Sequence, residues 1–167
     1  MTPLFRVEPL NERHPRAAFA CGEEALDRYL RTQATQDIRR RVASCFVAIE
    51  VAADRLAAYY TIAAASIPTP QLPPGMIKRL PRYPTLPAVR IGRLAVDIGF
   101  RGRGLGAAML ADAASRAAQS PPAVFALLVD AKNDDAVAFY RRYGFQPLAS
   151  QPRTLFLPMA TAEKLLR

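Results

Sequence analysis

The sequence has 167 residues, 51% hydrophobic and 22% charged, ordinary for one soluble globular domain long enough to bury a core. Lys and Arg outnumber Asp and Glu by 23 to 14, a formal net charge of +9, so the surface attracts polyanions: nucleic acid, an acidic partner or a phosphorylated cofactor. No apolar run approaches a membrane span and Met1 to Arg6 lacks the apolar stretch of a signal peptide, so no membrane contact and a cytoplasmic location are expected.

In chain order, Phe5-Arg6-Val7 reads as a short first strand. The single histidine, His14, lies in a polar, Pro-flanked segment and reads as an exposed loop residue. With only Cys21 and Cys45 beside it, neither a metal site nor a disulfide framework is expected. Glu23 to Ile38 predicts one helix, because Leu26, Leu30, Ala34 and Ile38 recur along one stripe. Cys45 to Ile49 and Leu56 to Ala64 predict a hairpin across Ala52-Ala53-Asp54. From Ile67 to Pro87 prolines crowd the chain, which reads either as a functional loop or as a stiff connection; Pro74 can open a short helix through Leu80. Val89 to Val96 resumes as a strand, followed by an Ala-rich helix from Leu105 to Ala118. Val124 to Val129 is almost continuously apolar, the pattern of a strand covered on both faces. Asp134 to Tyr143 predicts a helix stopped by Gly144, Thr154 to Leu157 a last strand, and Ala160 to Leu166 a terminal helix. Strands leading into a strand–helix–strand–helix half indicate a mixed α/β sheet.

The chemistry concentrates at Arg101-Gly102-Arg103-Gly104-Leu105-Gly106, between a strand and a helix. Glycines there allow positive φ and close backbone approach, successive amides form an anion nest, and the helix N-terminus adds partial positive charge. Arg101 and Arg103 can supplement such a phosphate cradle. Ala107 after Gly106 excludes a Walker loop, and the G-x-G-x-G spacing excludes a dinucleotide fingerprint. A tight turn without a ligand is the other reading. Basic clusters form a second constellation: Arg39-Arg40-Arg41, then Lys78, Arg79 and Arg82 beside Tyr83, then Arg90 and Arg93. Arginine suits phosphate and an interleaved tyrosine can stack on a base, which points to RNA; a solvated basic face or a dock for an acidic partner stays open.

Arg101-x-x-Gly104-x-Gly106 resembles the acetyl-CoA signature of the GNAT acyltransferases. Three ordered sets of segments resemble, more narrowly, the GNAT toxins of toxin–antitoxin modules, whose known targets are aminoacyl-tRNAs. The first is Phe19-x-Cys21-Gly22 with Leu26-Asp27-Arg28-Tyr29-Leu30. The second joins Tyr59-Tyr60-Thr61, Lys78 to Pro84 and Gly92-Arg93-Leu94-Ala95-Val96-Asp97. The third joins Val129 to Asn133, Ala138-Phe139-Tyr140 and Tyr143-Gly144-Phe145. The resemblance implies a single α/β GNAT domain with a mixed, splayed sheet and acetyl-CoA as cofactor. It implies that Leu94, Ala95 and Val96 bind the pantetheine arm, that Arg101, Gly102, Arg103, Gly104, Leu105 and Gly106 bind the pyrophosphate, that Asn133 approaches the cofactor and that Tyr140 is the general acid. Asn133 also reads as a helix N-cap, and Tyr140 as core. Asp97 reads as the end of a strand rather than as a base. The implied function is acetylation of the α-amine of aminoacyl-tRNA, with a ribbon-helix-helix antitoxin and a homodimer as partners. An acetyltransferase of a small amine or protein, or an inactive RNA- or partner-binding module, are the alternatives.

Overall fold

The computed structural model describes residues 4–165. Its elements run β1 (Phe5–Pro9), α1 (Glu24–Thr32), α2 (Ala34–Arg39), β2 (Ser44–Glu50), β3 (Arg55–Pro68), α3 (Pro74–Ile77), β4 (Thr85–Val96), α4 (Leu105–Gln119), β5 (Ala126–Asp130), α5 (Asp134–Arg142), β6 (Gln146–Leu148), β7 (Gln151–Pro158) and α6 (Met159–Leu165). The strands are ordered β1-β2-β3-β4-β5-β7-β6. β1, β2 and β3 pair antiparallel, β4 runs parallel to β5, and β5, β7 and β6 pair antiparallel, so the sheet is mixed as expected. β1 and β6 are its edges. β1 carries Arg6 and Glu8 and ends at Pro9, while β6 has three residues with Pro147 at its centre.

The chain divides into two compact units, Met1–Ala63 with Gly92–Ala113 and Ala64–Ile91 with Ala114–Arg167. The first has its own core, in which Phe19, Leu30, Val47, Ile49 and Tyr59 are buried. Phe19 and Tyr59 meet edge to face at 5.5 Å between ring centroids. The second buries Ile67, Leu72, Leu86, Leu128 and Phe156. Residues 126–129 of β5 are all buried, as their apolar run requires of a strand covered on both faces.

Several expectations need correction. The helix expected over 23–38 breaks at Gln33, whose backbone leaves the helical region at φ −120°. Thr32 bonds back to the Arg28 carbonyl at 2.8 Å, a local competitor with the ladder. His14 is buried, not exposed: Nδ1 accepts from the Asn11 amide at 2.9 Å and Nε2 bonds Glu8 at 2.8 Å, which fixes the Nε2–H tautomer. That bond from His14 holds Glu8 below the usual carboxylate range. α3 stops at Ile77 rather than Leu80, β4 begins at Thr85 despite Pro87, and the short β6 carries no pattern that announced it. Leu166, the expected end of α6, lies outside the described residues.

Candidate active site

β4 delivers Leu94, Ala95 and Val96 to the end of the strand, with Ala95 buried and its two neighbours half-buried. Gly92 precedes them because a side chain there would sit 3.1 Å from the Thr61 hydroxyl of β3. The chain then turns through a 3-10 segment, Ile98–Phe100, capped by Asp97, whose Oδ1 accepts from the Gly99 amide at 2.8 Å. Asp97 therefore ends the strand as expected. Phe100 is buried against Phe5 at 5.8 Å between centroids, and the guanidinium groups of Arg55 and Arg103 lie 5.0 and 5.3 Å from its centroid. This aromatic plug fixes the base of the loop that follows.

Residues 101–104 are all exposed. Gly102 and Gly104 take φ +77° and +75°, a conformation L side chains rarely adopt, and nothing lies within 4 Å of where a Cβ would stand on either. Ala108 donates to the Gly104 carbonyl at 3.0 Å, so the preceding amides of α4 have no carbonyl within the helix to bond. Left-handed glycines on an open face ahead of a 15-residue helix suit a pyrophosphate chemically.

The Arg101 guanidinium donates to the carbonyl of Cys21, in the segment before α1. Gly22, which sequence reasoning quoted only as part of a motif, is left-handed at φ +94°, and a Cβ there would lie 2.7 Å from Arg101 Nη2. A lone glycine before a helix start, outside any hairpin signal, was the available sign of such a close approach.

In the second unit, Asn133 caps α5 by accepting from the Ala136 amide at 2.9 Å. Tyr140 lies on α5, buried against Phe139 and Phe145 at 5.2 and 5.4 Å between centroids. Burial, with the negative charge of Asp130 second, pushes its phenol up to about 12. The group is thus neutral and proton-bearing throughout the physiological range.

The basic residues fare unequally. Arg40 and Arg41 at the end of α2 are exposed, as are Lys78, Arg79 and Arg82 after α3. Arg39 is exposed but pairs with Glu12 at 3.0 Å. Arg90 pairs with Asp130, which also accepts from Thr154 at 2.8 Å. Arg93 lies over the Tyr29 ring at 3.5 Å. Tyr29 in turn donates to Asp37 at 2.8 Å, and bonds from Gln33 and Tyr29 hold Asp37 below the usual range. Arg90 and Arg93 thus each have an intramolecular partner and remain half-buried.

The mixed sheet, the capped turn after β4 and the glycine loop into α4 belong to an acetyltransferase domain. The model of the acetyltransferase (GNAT) domain matches residues 30–161, and the chain belongs to the GNAT family, whose acetyl donor is acetyl-CoA. A probable toxin TacT of Sinorhizobium fredii is 34% identical over 96% of this chain and 94% of its own length. A tRNA-acetylating toxin of Mycobacterium tuberculosis is 34% identical over 89% of each. Among solved structures, AtaT complexed with acetyl-methionyl-tRNAfMet superposes with a TM-score of 0.87 at 28% identity, covering 98% of this chain and 99% of that one. AtaTR bound with AcCoA gives 0.83 at 28% identity over 98% of each.

Proposed function

We propose that the protein is a toxin that transfers acetyl from acetyl-CoA to the α-amine of aminoacyl-tRNA in the cytoplasm, stopping translation because an amide nitrogen cannot attack the next peptidyl ester. The relatives named as a tRNA-acetylating toxin and as AtaT with acetylated tRNA support this reading. The observation that carries it is the set of exposed cations, Arg40 and Arg41 in one unit and Lys78, Arg79 and Arg82 in the other, on a chain of net charge +9. A protonated small amine is repelled by such a surface; a polyanion is drawn to it.

Bound acetyl-CoA supplies the activated thioester. The Leu94–Val96 backbone would hold the pantetheine arm and polarise the carbonyl, and the Gly102–Gly106 amides with Arg103 would hold the pyrophosphate. Asn133, besides capping α5, would approach the cofactor. Tyr140 would supply the proton that the leaving sulfur takes up. A general base is dispensable: a free α-amine titrates at about 7.7–8.0 and the adjacent ester lowers that further, so much of it is already neutral, and the proton it sheds on forming the amide passes through water and restores the phenol. A cognate antitoxin with a ribbon-helix-helix part and a homodimeric assembly complete the proposal. The structure of AtaT bound to the C-terminus of the antitoxin AtaR supports the antitoxin, and the resemblance to the toxins supports both.

The test incubates the protein with labelled acetyl-CoA and charged tRNA pools. N-acetylated aminoacyl ends are expected. Replacing Lys78, Arg79 and Arg82 together by Ala should raise the KM for aminoacyl-tRNA about tenfold and flatten its salt dependence, with the acetyl-CoA KM nearly unmoved. No labelled tRNA alongside rapid acetylation of polyamines or peptides would transfer the case to a small-amine or protein acceptor.

A further inference from the structure

Three consecutive residues ahead of α1 are gripped by the turn that leads into the glycine loop. The Ala20 amide donates to Asp97 Oδ2 at 3.0 Å, and the Ala20 carbonyl accepts from the Ile98 amide at 2.9 Å. The Cys21 carbonyl accepts from Arg101. At Gly22 the chain turns left-handed, and the missing side chain is what admits the guanidinium: a Cβ would stand 2.7 Å from Nη2. The other end of the grip is anchored as well. The Cys21 amide donates to Asp27 of α1 at 2.9 Å, and the Asp97 amide donates to the Ala57 carbonyl of β3 at 2.8 Å.

We propose that Arg101 is a positioning residue for the cofactor loop: its side chain clips the Gly102–Gly106 backbone to the Ala20–Gly22 segment, with Gly22 as the seat that receives it, and does not contact the phosphates. This rests on the reading of that loop as the pyrophosphate site. The arrangement distributes the two jobs of the residue. Its backbone begins the loop, while its charge is spent on a carbonyl at the foot of α1, the same helix whose Tyr29 carries Arg93 of β4. An anion nest works only if successive amides keep their direction, and a loop of exposed residues with two left-handed glycines needs an external fixing point to do so.

The experiment titrates CoA calorimetrically into the wild type, Gly22→Ala, Arg101→Met and the double variant, with folding checked by circular dichroism. Each single substitution should weaken CoA about tenfold, and the double variant should match the weaker single within about twofold, because both remove one clip. Gly22→Ala binding CoA like the wild type while Arg101→Met does not would make Arg101 a direct phosphate ligand and overturn the proposal. Multiplicative losses, about a hundredfold in the double variant, would also overturn it. Alkylation mapped by mass spectrometry gives a second readout. Cys21 is 7% exposed and should react about tenfold faster in Arg101→Met, with Cys45 at 3% exposure staying inert as the fold control. An unchanged Cys21 rate would mean that the segment is held without the clip. Failure of the wild type itself to bind CoA would remove the loop's assignment, an outcome distinct from either.

Discussion

Tyr140 illustrates how burial selects a role. An unperturbed alkyl thiol titrates near about 8.5, so a proton passing from a phenol at about 12 to a hydrated thiolate climbs about 3.5 pKa units, or about 5 kcal/mol. Burial raises thiols too, as at Cys45, which desolvation pushes up to about 12. A thiolate leaving into low-dielectric surroundings is shifted in the same direction as the phenol, which narrows that gap. Tyr140→Phe keeps the ring packing and deletes the proton, so CoA should bind unchanged while kcat falls about 10²–10⁴-fold. Stopped-flow turnover beside a CoA titration separates the two effects; normal turnover would leave Tyr140 as core alone. The same raised phenol forecasts that kcat/KM rises with pH as the acceptor amine deprotonates and shows no descending limb from this tyrosine below about pH 10.

At the scale of elements, α5 shows what one side chain contributes to a site. Asn133 satisfies the Ala136 amide, and Asp134 and Asp135 follow in the first turn, where negative charge favours the helix dipole. Asn133→Ala should lower stability by about 1 kcal/mol in urea titration, with Asn133→Asp nearly neutral. A catalytic change in Asn133→Ala beyond that expected from stability would assign the residue a second part at the cofactor.

Much of this architecture was legible beforehand because its signals are local. The apolar run of β5, the Ala-rich α4, the Asn133 cap and the glycines ahead of α4 each declare themselves within a few residues. What was missed depends on side-chain bonds that composition and periodicity do not register. His14 looked exposed because a polar, Pro-flanked segment gives no sign that its ring bonds Asn11 and Glu8. The intramolecular partners of Arg93 and Arg101, the Tyr29 ring and the Cys21 carbonyl, lie 64 and 80 positions away in the chain, beyond the reach of local patterns. The helix break at Gln33 is similarly set by Asp37 drawing in Gln33 at 3.0 Å and Tyr29 at 2.8 Å, which hydrophobic periodicity does not register.

For the whole molecule, the buried acids decide behaviour at alkaline pH. Burial pushes Cys21 up to about 11 and Cys45 and Tyr140 up to about 12, and raises Tyr29 and Tyr59 as well, all above the ordinary ranges of thiols and phenols. Above about pH 9 the unfolded chain releases these protons first, so it binds fewer than the native state and stability falls as pH rises. The contribution is complete below pH 9 and is lost across about pH 9–12, at up to about 1.4 kcal/mol per pH unit for each group that titrates only when unfolded. Urea midpoints at pH 8 and pH 10.5 should differ accordingly; equal midpoints would mean that these groups are hydrated in the native state. Among the described residues no helix is long and apolar enough to cross a membrane.

The two sheet edges have a consequence for the protein in a crowded cell. An exposed strand with regular unpaired amides is a template on which a second chain can add itself, and repetition of that step is how β-rich proteins aggregate. Here one edge ends at Pro9 and presents the charged pair Arg6 and Glu8, while the other is only three residues long and interrupted by Pro147, which has no amide hydrogen to offer. Neither border extends a clean ladder to a neighbour. The chain can therefore keep an extensive mixed sheet and still resist strand-by-strand polymerisation, with its insolubility hazard removed at the margins rather than in the core.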